Sequence, residues 1–194
     1  MKKAIFLDRD GTINAEVNYL TKSKDINIFP NILKSLQIFK GLGFLNIIVT
    51  NQSGIARGFL TENDLNNIHK EFRKLLKENN KDLIDDIFYS PYHIDGTVAQ
   101  YKFDHEDRKP GTGMILKAKL KYDIDLSESF FIGDSLTDMQ CAENAGLRKI
   151  LVKTGYGKSD YEKCKKENIK LDYFAEDLYD ASSYLSEINL NNKA

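Results

Sequence analysis

Four short strings in this 194-residue chain carry side chains suited to acid–base and anion chemistry: Asp8-Arg9-Asp10-Gly11-Thr12, Thr50-Asn51-Gln52-Ser53-Gly54, Arg108-Lys109-Pro110 and Gly133-Asp134-Ser135-Leu136-Thr137-Asp138. Three of them directly follow a short apolar run. If those runs are neighbouring strands, Asp8, Asp10 and Asp134 meet at one place, where like charges repel unless a cation or a proton is shared. An all-oxygen ligand set with open positions suits a hard divalent ion such as Mg2+, which bridges readily to phosphate oxygens. The adjacent cations Arg108 and Lys109 supply the positive charge that an anionic transition state demands. Together these residue types describe phosphoryl transfer.

The elements that must position them follow from periodicity. Apolar runs at 3–7, 44–49, 87–89, 130–132 and 150–152 are too short for independent helices and read as buried strands, with 172–175 as a final edge strand. Helical spacing appears at Ile32, Leu33, Leu36 and Phe39 after Pro30. It returns at Leu65, Ile68, Phe72 and Leu75, behind a capping-box pattern at Thr61-Glu62-Asn63-Asp64. Further helices fit 113–121, 136–145 and 177–185, and His69 reads as a surface residue. Alternating strands and helices imply right-handed crossovers and a parallel sheet covered on both faces, a Rossmann-like, doubly wound α/β fold. Ligands in such sheets bind beyond the carboxyl ends of the strands, where three of the four strings fall.

Composition narrows the partners. The 28 basic and 29 acidic side chains give a net charge of −1, so no global field holds nucleic acid or an acidic membrane leaflet. No apolar stretch approaches the roughly 20 residues of a membrane span. Cys141 and Cys164 are the only cysteines, which suggests neither a disulfide framework nor a thiolate metal site. The expectation is a cytoplasmic, monomeric protein with residues 1–194 forming one domain, a small-molecule partner and no leader or anchor.

Asp8-x-Asp10-Gly-Thr, Thr50, Lys109 and Gly133-Asp134-x-x-x-Asp138 resemble, in order, the four signatures of haloacid-dehalogenase-like (HAD) phosphatases, and the match runs across most of the chain. Residues 6–14, 50–58 and 108–110 look like the subfamily that contains D,D-heptose 1,7-bisphosphate phosphatase and histidinol-phosphate phosphatase. The resemblance implies catalytic roles for Asp8 as nucleophile, Asp10 as general acid and base, and Thr50 and Lys109 as holders of the phosphoryl oxygens. It assigns Mg2+ to the carboxylates of Asp8 and Asp134 and the carbonyl of Asp10, and gives Asp138 the task of orienting Lys109 or a metal-bound water. The 11–30 and 90–107 intervals are too short for the folded caps that many members insert, so the chain looks capless. Substrate selection then falls to Arg9, Glu16, Val17, Asn18, Tyr19, Asn51, Gln52, Ser53, Arg57 and Arg108, of which Arg57 and Arg108 suit a second phosphate.

Two departures stand out. The subfamily's zinc-binding Cys-x-His and Cys-x-Cys pairs are replaced by Ser90-Pro91-Tyr92 and His105-Glu106-Asp107, so zinc is expected to be absent. Order in that loop then has to come from Tyr89, Tyr92, Tyr101, Phe103 and charge pairing. Ser135 also stands where heptose phosphatases commonly carry Lys or Arg. The resemblance implies a Mg2+-dependent phosphatase releasing the 7-phosphate of D-glycero-D-manno-heptose 1,7-bisphosphate, in the synthesis of nucleotide-activated heptose for surface polysaccharide. Histidinol phosphate is the alternative substrate. A non-catalytic phosphate-binding module and a phosphatase of nucleic-acid 3′ ends are the rivals outside that chemistry.

Overall fold

Side-chain alternation in the first strand sets the layers of the protein, whose structure, a computed structural model, describes residues 1–191. In β1 (Lys3–Leu7), Ile5 and Leu7 enter one core while Ala4 and Phe6 enter the other, and none of the four is solvent-exposed. A strand buried on both faces must be central. Its neighbours are β2 (Phe44–Asn51) and β6 (Phe130–Gly133), both parallel to it, with Phe6 opposite Ile47 and Phe131. β5 (Asp86–Ser90) flanks β2, while β7 (Arg148–Val152) and β8 (Tyr173–Ala175) extend the other side, giving the order β5-β2-β1-β6-β7-β8. The remaining strands, β3 (Lys77–Glu78) and β4 (Lys81–Asp82), form a small hairpin whose turn is made by Asn79 and Asn80, both at positive φ.

Helices α1 (Ile32–Gly41), α2 (Glu62–Leu75) and α6 (Leu178–Asn191) pack through Ile32, Leu36, Phe39, Phe72, Ala181 and Leu185 onto the first core. Helices α3 (Gly113–Tyr122), α4 (Leu136–Ala145) and α5 (Gly157–Lys166) cover the opposite face through Met114, Ile115, Ala118, Met139, Ala142 and Cys164. This is the doubly wound α/β sheet expected from the sequence. The Thr61–Asp64 capping box opens α2 as anticipated. Helix α5 lacked a legible apolar stripe: its buried positions are Gly157, Asp160 and Cys164, and Asp160 turns inward to accept the main-chain N–H of Leu136 at 2.8 Å. Among the described residues, no helix is long and apolar enough to cross a membrane.

Candidate active site

Adjacent parallel strands end together, so the residues after β1 and β6 meet; the Asp8 N–H donates to the Ile132 carbonyl at 3.0 Å. One carboxylate oxygen each from Asp8, Asp134 and Asp138 lie within 4.8 Å of one another. Lys109, only 3% exposed, places its ammonium 2.8 Å from Asp8 Oδ1 and 2.6 Å from Asp138 Oδ1, and donates to the Val49 carbonyl at 3.1 Å. Three acids thus face one buried cation. Burial, reinforced by Asp138 and Asp10 and opposed by Lys109, pushes the Asp8 carboxyl up to about 7. Burial with Asp8 and Asp138 pushes Asp134 up to about 8. Lys109 is raised despite its burial, because Asp138 and Asp8 favour the ammonium.

A short-range excess of negative charge on an all-oxygen donor set fits a hard divalent cation. Asp8 and Asp134 would hold Mg2+, with the Asp10 carbonyl as the resemblance implies; Asp138 spends one oxygen on Lys109 and the other on capping α4 through Ser135. Bound there, Mg2+ supplies positive charge against phosphoryl oxygens. Two glycines make the close approach possible. Gly11 (φ +81°) and Gly155 (φ +55°) both adopt left-handed backbone, and a Cβ at either would collide with the Asp134 carboxylate.

The raised carboxyls give a pH signature in metal-free protein. The unfolded chain ionises these acids near pH 4, whereas the folded chain keeps their protons until about pH 7 to 8, so metal-free stability falls as pH rises through that window. Mg2+ has to displace those protons to bind at the acid end. The Mg2+-induced rise in Tm is therefore expected to grow between about pH 5.5 and about pH 8 in thermal melts. A metal increment independent of pH would contradict the assignment.

Asp10 sits in a different environment. Arg9 donates to both of its oxygens, Nε to Oδ1 at 3.2 Å and a terminal nitrogen to Oδ2 at 2.7 Å, while Asn14 and Gln52 add bonds at 2.9 and 3.0 Å. Burial opposes the charged form, yet the Arg9 charge and these donors hold Asp10 below the ordinary carboxylate value. Arg9 is consequently not where substrate binding requires it. It has no exposed surface and does not line the cavity, because side chains after β1 alternate and its neighbours Asp8 and Asp10 take the open side. His69, read from the sequence as surface, is also buried, with Nε2 3.2 Å from an Arg9 terminal nitrogen.

The acids open into a cavity of about 370 Å3. Of the residues expected there, Asp8, Asp10, Glu16, Asn18, Tyr19, Thr50, Asn51, Gln52, Ser53, Arg108, Lys109 and Asp134 line it, whereas Val17 and Arg57 do not. Val17 is exposed outside it, and Arg57 points to His93, 3.4 Å away. Arg57 still reaches the rim electrostatically: burial first, then the Arg57 charge, depresses Arg108, a pairing of guanidiniums that an anion would relieve. Gln52 bridges the site, donating to Thr50 Oγ1 at 2.8 Å as well as to Asp10. Asn51 clamps the main chain of Lys109, accepting from its N–H at 3.0 Å and donating to its carbonyl at 3.1 Å.

Sequence reading missed Tyr156, which lines the cavity from the β7–α5 loop and donates its main-chain N–H to Asp134 Oδ2 at 2.8 Å. The Thr154-Gly155 pair before it was the available signal, a polar residue and a glycine at a strand end. In the 90–107 loop Tyr92 stacks on His105 with centroids 4.1 Å apart, and Phe103 and Tyr101 pack around Tyr92. Asp107 is paired to Lys117 and lies 3.5 Å from His105 Nδ1. Tyr89 instead packs against His69.

Comparison with known proteins agrees with this geometry. A family model described as HAD-hydrolase-like matches residues 107–181. A Photorhabdus laumondii protein named D-glycero-alpha-D-manno-heptose-1,7-bisphosphate 7-phosphatase is 43% identical over 81% of this chain and 86% of its own. A Thermosynechococcus vestitus D-glycero-D-manno-heptose-1,7-bisphosphate 7-phosphatase is 34% identical over 95% of both. Among solved structures, D,D-heptose 1,7-bisphosphate phosphatase from B. bronchiseptica, complexed with magnesium and phosphate, superposes with a TM-score of 0.84 at 29% identity, over 96% of this chain and 99% of that one. With its acids, lysine and threonine at the carboxyl edge of the sheet and relatives matching nearly its whole length, the chain belongs to the HAD-like phosphatase family.

Proposed function

We propose that the protein is a Mg2+-dependent phosphatase that removes the 7-phosphate of D-glycero-D-manno-heptose 1,7-bisphosphate. The observation that carries this reading is the Asp8–Lys109–Asp138 array opening into a cavity that Arg108, under the influence of the Arg57 charge, also lines, so that one cationic place serves the reacting phosphate and a second serves another. The names of relatives at 34 to 43% identity favour the heptose substrate over histidinol phosphate.

The chain's own residues have these tasks. The Asp8 carboxylate attacks phosphorus and becomes an aspartyl phosphate. Lys109 and Thr50 hold the equatorial oxygens, and Asn51 fixes the Lys109 backbone while they do so. Asp10, which Arg9 keeps ionised in the free protein, takes up a proton with the incoming phosphate ester, passes it to the departing sugar oxygen and recovers one from the water that hydrolyses the acyl phosphate. Every residue named comes from one chain, so a single domain without a cap and a single copy suffice. The Tyr92–His105 stack and the Asp107–Lys117 pair support a 90–107 loop ordered by packing and charge, and its lack of cysteine argues against a thiolate zinc site.

The test is a panel of phosphate esters with Mg2+, including both anomers of the heptose bisphosphate. The expected kcat/KM for the heptose bisphosphate exceeds that for histidinol phosphate by about 100-fold or more, because a monophosphate leaves Arg108, crowded by the Arg57 charge, without an anion to relieve it. EDTA is expected to abolish turnover and Mg2+ to restore it. Preference for histidinol phosphate, or restoration by Zn2+ alone, would contradict the reading.

A further inference from the structure

Helix α2 buries four residues spaced as one face, Leu65, Ile68, His69 and Phe72. Three are apolar. The fourth points an imidazole at the wholly buried guanidinium of Arg9, Nε2 to a terminal nitrogen at 3.2 Å. Arginine carries donors only and stays charged, so the ring nitrogen facing it has to be the acceptor, which places the imidazole hydrogen on Nδ1. Burial first, then the charges of Arg9 and Arg73, outweigh Asp10 and push His69 down to about 3, so the ring stays neutral. Tyr89 meets the ring edge-on and adds no charge. Arg9 itself has its Nε and second terminal nitrogen committed to Asp10, and that terminal nitrogen also reaches Gln52 Oε1 at 3.1 Å.

We propose that neutral His69 is a positioning residue for the reaction. By accepting from Arg9 it fixes the plane of the guanidinium, and the fixed guanidinium sets the direction from which the Asp10 carboxyl meets the leaving oxygen. The relay runs from the interior face of α2 through Arg9 to the cavity, and touches no substrate. It rests on the reading of Asp10 as general acid given above.

General-acid help matters for a poor alkoxide leaving group and little for a good one such as nitrophenolate. His69→Leu is therefore expected to lower kcat/KM for heptose 1,7-bisphosphate at least about tenfold while lowering that for p-nitrophenyl phosphate less than about threefold. His69→Gln, which returns an acceptor, is expected to recover most of the heptose activity. Parallel losses on both substrates, no loss, or a glutamine variant as poor as leucine would overturn the proposal. A second measurement needs no variant: 15N NMR of the full chain is expected to show His69 Nε2 without a hydrogen throughout about pH 5.5 to 8. A hydrogen on Nε2, or titration near the ordinary imidazole value, would also overturn it. Failure of wild-type protein to hydrolyse the heptose ester would count against the assigned function, and the NMR result would still decide the His69–Arg9 contact.

Discussion

Asp8→Asn is expected to lower kcat by about four orders of magnitude or more, because an amide cannot attack phosphorus and no neighbouring group is placed to replace it. The substitution is nearly isosteric, and the main chain at this position is tied to β6 through the Asp8 N–H, so the fold should survive. Circular dichroism melts alongside turnover separate a lost nucleophile from a lost structure. The same variant distinguishes the enzyme from a non-catalytic binding module: phosphate ligands should still bind, since Lys109, Thr50 and Arg108 remain. Turnover within about tenfold of wild type would mean that another residue receives the phosphoryl group.

Lys109→Met should be as damaging in a different way. The ammonium, itself almost sealed from water, offsets the charge of Asp8 and Asp138, and methionine keeps the length of the side chain while removing that charge. Breaking a buried pair leaves uncompensated carboxylates, a loss of about 3 to 5 kcal/mol at neutral pH. Losing one preorganised cation against the transition state costs about 100- to 1,000-fold in kcat. The stability loss should shrink on acidification, because the stranded acids can then take up protons. Urea melts at pH 5.5 and pH 8 measure it, and equal stability to wild type at pH 8 would contradict the charge balance described here.

Much of the site was legible because strand ends impose it. Apolar runs locate β1, β2 and β6 without ambiguity, and their parallel pairing brings Asp8, Thr50 and Asp134 to one edge wherever the details of the loops lie. What failed were residues whose type suggested a surface while their register placed them inside. Arg9 sits between two acids that face the cavity, so alternation sends it to the interior, but a guanidinium is so commonly a phosphate ligand that composition argued the other way. His69 falls on the buried face of α2, four residues after Leu65 and three before Phe72. That spacing was available, and only the polarity of imidazole concealed it. Helix α5 fell below notice because it buries a glycine, an aspartate and a cysteine in place of a hydrophobic stripe.

The aromatic loop shows the converse case. Of the aromatic groups expected to order the 90–107 loop, Tyr92, Tyr101 and Phe103 do cluster, and His105 joins them. Tyr89 makes its ring contact with His69 instead, while sharing with Tyr101 the packing against the cluster of Leu65 and Ile68.

The most direct test is chemical trapping of the intermediate. Enzyme quenched in acid during turnover and reduced with borohydride converts an acyl phosphate on aspartate into homoserine, which peptide mass spectrometry locates. Homoserine at position 8, absent without substrate and absent from Asp8→Asn, is the expected result. Modification at Asp10, at Asp134 or nowhere during steady turnover would contradict the assignment of Asp8 as the residue that carries phosphorus.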